Sequence, residues 1–354
     1  MSHILLCFPF DESGKLVTAM TTLYPLRFEP LFRQYLWGGR RLGTELNKPI
    51  DDDGVFAESW EIVDHGDDQS IVANGPLAGT SLHELIEQDA TALLGDRVAT
   101  AIRSESLPSN LRNRFPLLLK MLDASRDLSV QVHPNDAQGS RLDPPDLGKT
   151  EAWMVIDAVP GSKIYAGLKA GIDREAFAAA VAAGRTEETL HSFEPSVGDC
   201  IFIPAGTIHA IGAGLLVAEI QQASDTTFRI YDWGRVEANG QPRTLHIKQS
   251  LDVIDFESGP VSPVTPVPVA SDAAAVTLVD CDKFTLQRYT LSDSHRIDTR
   301  NTFQVIAVLS GAIRIAGDAS ADVLRKGDTM LVPACVESIL IDPVEAAELM
   351  VASA

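Results

Sequence analysis

The sequence predicts an all-β protein built as two jelly-roll units, the first with a small helical insertion. Three observations predict it. Short runs of alternating apolar and polar residues recur along the chain between Gly/Pro turns, the pattern of half-buried strands in a sandwich or barrel. Gly198-Asp199-Cys200-Ile201-Phe202-Ile203-Pro204-Ala205 returns as Gly327-Asp328-Thr329-Met330-Leu331-Val332-Pro333-Ala334, so one β unit is present twice. Pro260, Pro263, Pro266 and Pro268 mark residues 256–270 as a linker, which places the first unit at 20–255 and the second at 271–354.

The elements run in chain order. Residues 57–63 alternate as a strand does, and 70–73 form another that ends at the turn Asn74-Gly75-Pro76. Ser81 precedes Leu82, Leu85 and Ile86, with Glu84 three positions on, a capping-box start to a short helix. The apolar run 115–122 is interrupted only by Pro116 and Lys120, and residues 128–133 alternate up to Pro134. A polar loop fills 135–148, after which 151–159 is strand-like and closed by Pro160-Gly161. Residues 173–183 are alanine-rich, carry Phe177 and Val181 four apart, and stop at Gly184, which predicts a helix. This helix sits in an insertion near 171–190, because the interval from His133 to Gly198 far exceeds that from Ile306 to Gly327. Strands resume at 201–203, 215–221 and 227–231, and beyond the linker at 276–279, 284–289, 303–309, 311–315 and 328–332.

A chain of 354 residues with 45% hydrophobic and 22% charged residues has the composition of a soluble globular protein. Its net charge of −20 argues against nucleic acid and anionic membrane as partners. Cys7, Cys200, Cys281 and Cys335 form no CxxC pair, so neither a disulfide framework nor a cysteine-rich zinc site is indicated. The apolar run at 4–8 has no basic region before it and Asp11 and Glu12 soon after it, a poor secretory signal. No run approaches the roughly 18 apolar residues that span a bilayer. The expected location is cytoplasmic.

The two copies of the repeat diverge immediately after their shared motif. The first continues Gly206-Thr207-Ile208-His209, the second Cys335-Val336-Glu337-Ser338. Upstream, Gln131 and His133 are two apart in a strand and share a face. A faint echo in 303–306 holds Ile306 at the histidine position. Glu151 opens a strand just after a Gly-Lys-Thr turn. Two histidines, a glutamate and a glutamine oxygen suit zinc or a similar divalent ion. Among the cations, Lys120 and Arg229 lie inside apolar strands, where a charge needs a buried anion or an open pocket. Lys149 and Arg235 flank the same segments. Glu219, inside an apolar strand, is either a salt-bridge partner or a general base. His65, His191, His246 and His295 have no second ligand-type residue in register.

Seven separated segments stand in a set order: Trp37-Gly38-Gly39, Glu58-Ser59-Trp60-Glu61, 115–124, Ser129-Val130-Gln131-Val132-His133-Pro134, Gly148-Lys149-Thr150-Glu151, Pro204 to His209, and Glu219 through Arg229 to Arg235. In that order they resemble the zinc-dependent mannose-6-phosphate isomerases of the cupin superfamily, in their compact bacterial form. The likeness covers roughly residues 23–250. It implies two cupin domains, one Zn2+ per chain held by Gln131, His133, Glu151 and His209, and a small phosphorylated sugar as substrate. It implies that Lys120, Ser129, Arg229 and Arg235 hold or face the phosphate. It assigns Lys149, Glu219 and Arg229 to proton transfer in an interconversion of mannose 6-phosphate and fructose 6-phosphate through an enediol, and among them we read Glu219 as the base, Lys149 as the relay and Arg229 as the electrostatic stabiliser. Asn135 departs from the family, which usually has Asp there. A monomer or weak homodimer is expected. The other readings are a related sugar or sugar-phosphate isomerase, a non-catalytic sugar-binding cupin, which would need neither Glu219 nor Lys149, and a cupin dioxygenase or epimerase, for which the carboxylate and histidines give no positive indication.

Overall fold

The computed structural model describes residues 22–236 and 240–354. The apolar run at 4–8, and with it residues 1–20, lie outside these. Strand β1 (Leu31–Arg33) pairs with β2 (Glu58–Ile62), and the helical turn α1 (Arg41–Thr44) lies between them in sequence. The two-residue strands β3 (Asp64–His65) and β4 (Asp68–Gln69) turn at Gly66, whose φ is +59°. Helix α2 (Leu82–Leu94) begins with the expected capping box: Ser81 Oγ accepts the Glu84 N–H, and the Glu84 carboxylate accepts the Ser81 N–H. Helix α3 (Asp96–Ile102) comes next, across Gly95.

Strands β5 (Leu117–Ala124) and β6 (Val130–Val132) lead to the one-turn helix α4 (Asp136–Gly139), which Asn135 caps. Then come β7 (Glu151–Ala158), β8 (Ile164–Leu168), α5 (Arg174–Ala182) and β9 (Leu190–Phe193). After these come β10 (Cys200–Ile203), β11 (His209–Ile211), β12 (Leu215–Gln222), β13 (Phe228–Tyr231) and α6 (Ile247–Val253). They form a six-stranded sheet in the order β1-β2-β5-β12-β7-β10 and a five-stranded sheet in the order β13-β6-β11-β8-β9.

Strand alternation fixes where the charged residues point. Leu119, Met121, Ala152, Met154, Leu216 and Ala218 share a core with Leu85, Ile86 and Val98 of the helices. The intervening residues Leu122, Trp153, Val155, Leu215 and Val217 meet Ile164, Ala166 and Ile211 of the other sheet. Lys120, Glu151 and Glu219 have the parity of this second set, so they project between the sheets.

The remaining strands are β14 (Val267–Val269), β15 (Asp272–Asp280), β16 (Thr285–Leu291), β17 (His295–Asp298), β18 (Gln304–Ile315), β19 (Leu324–Arg325), β20 (Thr329–Val332) and β21 (Ser338–Ser353). They make one eight-stranded sheet. On β18, Val305, Ala307 and Leu309 join the helix-side core of the first part, while Ile306, Val308 and Ile313 build a core with Leu349 and Val351. Leu26 and Leu331 exchange both backbone hydrogen bonds, and the N–H groups of Ala334 and Cys335 donate to Leu93 and Ala92 at the end of α2. The turn that ends the second repeat therefore satisfies carbonyls that a helix end leaves unpaired.

The expected all-β pair of jelly rolls is overturned: the fold is mixed α/β with open sheets. The outer strands of each sheet do not pair with one another. One face of the six-stranded sheet is covered by helices, because Leu82, Leu85, Ile86, Leu93, Leu94, Val98, Ala99 and Ile102 recur at three- and four-residue spacing and are buried. Among the described residues, no helix is long and apolar enough to cross a membrane.

Candidate metal centre

His209 lies opposite Gln131 across β11 and β6, and Arg229 lies opposite Gln131 across β13 and β6. The second sheet thus presents Gln131, His209 and Arg229 as cross-strand neighbours. From the first sheet, Glu219 lies opposite Lys120 on one side and Trp153 on the other, and Gln221 lies opposite Glu151. His133 enters just beyond β6.

His133, Glu151 and His209 are buried and offer one ligand atom each, all within 4.8 Å of one another. Glu151 Oε2 is 3.5 Å from His133 Nε2, and Glu151 Oε1 is 3.4 Å from His209 Nε2. Each imidazole donates its Nδ1–H to a backbone carbonyl, His133 to Thr226 at 3.0 Å and His209 to Thr207 at 2.9 Å. That tautomer leaves both Nε2 lone pairs facing Glu151. His133 Nε2 and both Glu151 oxygens are buried without a hydrogen-bond partner. Buried polar atoms are rarely left so, and a divalent cation satisfies all three at once. The cluster is therefore able to hold a metal ion. Gln131 closes another side, its amide 3.3 Å from His209 Nε2, and an amide turned over presents Oε1 to the same point.

The electrostatics suit a cation there. Burial, then the Lys149 ammonium and His209, hold His133 well below the ordinary imidazole range, and burial first of all takes His209 down to about 4. Both rings are thus neutral ligands at pH 7. Lys149 Nζ sits 3.3 Å from Glu151 Oε2. Burial and the nearby Glu151 raise the Glu219 carboxyl, against Lys149 and Lys120. Trp153 Nε1 donates to Glu219 Oε2 at 3.0 Å. Lys120 Nζ lies 3.6 Å from both Glu58 and Glu219 and 4.7 Å from the Trp60 ring centre. Burial opposes its charge, but Glu58 and Glu219 outweigh burial and raise its pKa.

A cavity of about 290 Å³ opens beside the triad, walled in part by Lys120, Ser129, Lys149, Glu219 and Arg229. Arg229 Nε donates to Ser129 Oγ at 3.2 Å. Arg235 is placed elsewhere: its guanidinium binds the Asp232 carboxylate and the Asp127 carbonyl, and it lines a neighbouring chamber of about 620 Å³. Nine of the ten residues singled out in the sequence thus gather at the triad or its cavity.

Other residues at the cavity or behind it were not singled out as site residues. Glu58 and Trp60 support Lys120, and the glutamate beside an apolar run was a signal to be read. His246 lines the cavity and accepts the Arg229 backbone N–H at 3.2 Å, a partnership invisible at a separation of 17 residues. Arg243 also faces the cavity and donates to Asp232 at 2.8 Å. Asp146 accepts from Ser224, Thr226 and His65 and so fixes the turn whose Thr226 carbonyl orients His133.

Residues 26–152 match the family described as phosphomannose isomerase type I, catalytic domain. The chain is similar to the mannose-6-phosphate isomerase ManA of Bacillus subtilis, 36% identical over 312 residues that cover 88% of this chain and 94% of that one. It is also similar to the mannose-6-phosphate isomerase of Streptococcus mutans, 35% identical over 89% of this chain and 95% of that one. The crystal structure of the Bacillus subtilis mannose 6-phosphate isomerase superposes with a TM-score of 0.81 at 28% identity, over 93% of this chain and 99% of that one. The apo form from Salmonella typhimurium, at 17% identity and a TM-score of 0.70, shares the fold over 94% of this chain and 99% of that one.

Proposed function

This chain belongs to the mannose-6-phosphate isomerase family, and on that premise we propose that it interconverts mannose 6-phosphate and fructose 6-phosphate at one zinc per chain. The observation that carries this reading is the group of buried atoms without a hydrogen-bond partner, His133 Nε2 and both Glu151 oxygens, that meet beside a cation-lined cavity. His133, Glu151, His209 and Gln131 would hold the ion. When bound, zinc supplies a Lewis acid for the sugar oxygens and supports the negative charge of an enediolate.

The chain's own residues supply the rest. A base takes the proton from C2, and the C–H electron pair becomes the C1–C2 double bond while the carbonyl oxygen gains a proton. Return of a proton to C1 and loss of one from the C2 hydroxyl give the ketose. Glu219 is the base in this reading, a buried carboxyl that burial and the nearby Glu151 hold above the ordinary carboxylate range. Lys149, beside Glu151, relays protons between the two oxygens. Arg229 stabilises the charge and, with Ser129 and Lys120, faces the phosphate. Arg235 would contribute from the adjoining chamber.

The catalytic unit is taken as residues 20–255, the metal-free unit as 271–354, and 256–270 as the connection. The enzyme acts in the cytoplasm as a monomer or weak homodimer, with a small phosphorylated sugar as its partner and neither nucleic acid nor membrane. The test is a coupled assay with mannose 6-phosphate before chelation, after it, and after zinc is restored. Turnover lost and then recovered supports the reading; turnover indifferent to chelation overturns the zinc role, and bound zinc without turnover overturns the activity.

A further inference from the structure

We propose that the C-terminal unit steadies the metal triad from behind, through hydrogen bonds that run from Lys283 through Asp136 and Gln222 to Thr150. This rests on the metal-centre reading above. Lys283, in the turn between β15 and β16, places Nζ 2.8 Å from Asp136 Oδ2. The other oxygen of Asp136 accepts the Gly148 N–H and the Gln222 amide, each at 2.8 Å. Gln222 Oε1 accepts the Thr150 N–H at 3.1 Å, and the Gln222 N–H donates to the Thr150 carbonyl at 3.1 Å. Thr150 Oγ1 in turn accepts the Ala205 N–H at 3.2 Å.

Each ligand-bearing segment is held by this path. Asp136 lies three residues after His133, Gly148 and Thr150 bracket Lys149 and precede Glu151, and Ala205 opens the turn that delivers His209. Two backbone bonds tie the same segments directly, from Lys149 N–H to the Pro134 carbonyl and from Gly206 N–H to the His133 carbonyl, both 2.9 Å. At Gly148 a Cβ would lie 2.5 Å from the Asp136 nitrogen, so the first two segments are at their closest approach and only glycine fits. Metal ligands must be held to within roughly 0.5 Å to bind well.

Thr150 and Gln222 are buried, whereas Lys283 and Asp136 are partly exposed. A partly exposed ion pair adds little stability, so the effect of Lys283 falls on the geometry of the site. Lys283 and Thr150 are positioning residues. They give the ligand-free unit a task in the site of the other.

The experiment uses the full chain and the variants Lys283→Ala, Lys283→Arg and Thr150→Val. Zinc affinity is measured by chelator competition, and hydrogen exchange of residues 133–150 and 204–209 is followed in the metal-free protein. The expected result is zinc binding weakened about tenfold in Thr150→Val and less in Lys283→Ala, faster exchange in both, and recovery in Lys283→Arg. Wild-type affinity together with unchanged exchange in Lys283→Ala and Thr150→Val overturns the proposal. If wild-type protein binds no zinc, the metal-centre reading fails by itself. The exchange rates then still decide: acceleration in Lys283→Ala upholds the fastening and an unchanged rate ends it.

Discussion

Lys120 and Glu219 face each other across β5 and β12 as register partners, with their charged atoms 3.6 Å apart in the space between the sheets. Neither charge belongs there without the other. Lys120→Met strands the buried Glu58 and Glu219 carboxylates and is expected to cost about 3–5 kcal/mol of stability. Glu219→Gln keeps the shape and leaves Lys120 its other partner, Glu58, so it should cost less stability than Lys120→Met, and it should lower kcat by about 10²–10⁴. Urea unfolding and steady-state kinetics separate the two effects. A Glu219→Gln enzyme with wild-type kcat would remove Glu219 from proton transfer.

Glu151 gives a cleaner test of the metal. Saturating zinc is expected to stabilise the wild type by about 4 kcal/mol at a thousandfold excess over Kd, seen as a raised thermal midpoint that a chelator reverses. Glu151→Gln should lose that response. In metal-free protein the same substitution also takes the carboxylate away from the buried Lys149 ammonium 3.3 Å from it, so its midpoint should fall below that of metal-free wild type. A Glu151→Gln protein that still responds to zinc would contradict the assigned ligand.

Asp146 is expected to contribute to acid stability. Burial opposes its charge, but hydrogen bonds from His65 and Thr226 outweigh it and take its pKa down to about 2. A carboxyl depressed on folding stabilises the protein above its ordinary pKa of about 3.9. That contribution disappears as pH falls from about 4 to about 2. Stability should therefore drop more steeply over this window in wild type than in Asp146→Asn, measured by denaturant midpoints along the pH series. Parallel curves would show that Asp146 does not titrate in this way.

Gly95 joins α2 to α3 with φ +86°, and a Cβ there would lie 2.0 Å from the Asn301 carbonyl oxygen. Gly95→Ala meets both a disfavoured backbone region and a backbone atom that cannot step aside. The expected loss is at least about 1–3 kcal/mol, read from the urea midpoint. An unchanged midpoint would mean that the loop of Asn301 shifts freely.

Much of this was legible in the sequence because strand parity is a local rule. Gln131 and His133, two apart in a strand, share a face; Lys120 and Glu219 each interrupt an apolar run and so call for a partner or a pocket; and the turn after Pro204 points to His209. The layers were not legible. Whether short apolar runs close into barrels or lie open beneath helices is decided by long-range packing, and α3 and α6 are too short to announce themselves against neighbouring strands. Arg235 and His246 show the same limit at the site. One is drawn off by Asp232, and the other is brought to Arg229 by backbone pairing across a loop.

The grip of Ala334 and Cys335 on the end of α2, with Leu331 paired to Leu26, carries a consequence for synthesis on the ribosome. The chain emerges from its N-terminus, so residues 26 and 92–93 wait for partners made more than two hundred residues later. Until then the helices that back the six-stranded sheet have an unfinished end and an uncovered apolar face. The half that carries the triad is thus completed only after translation has nearly ended, and nascent chains stalled before residue 331 should be the protease-sensitive ones.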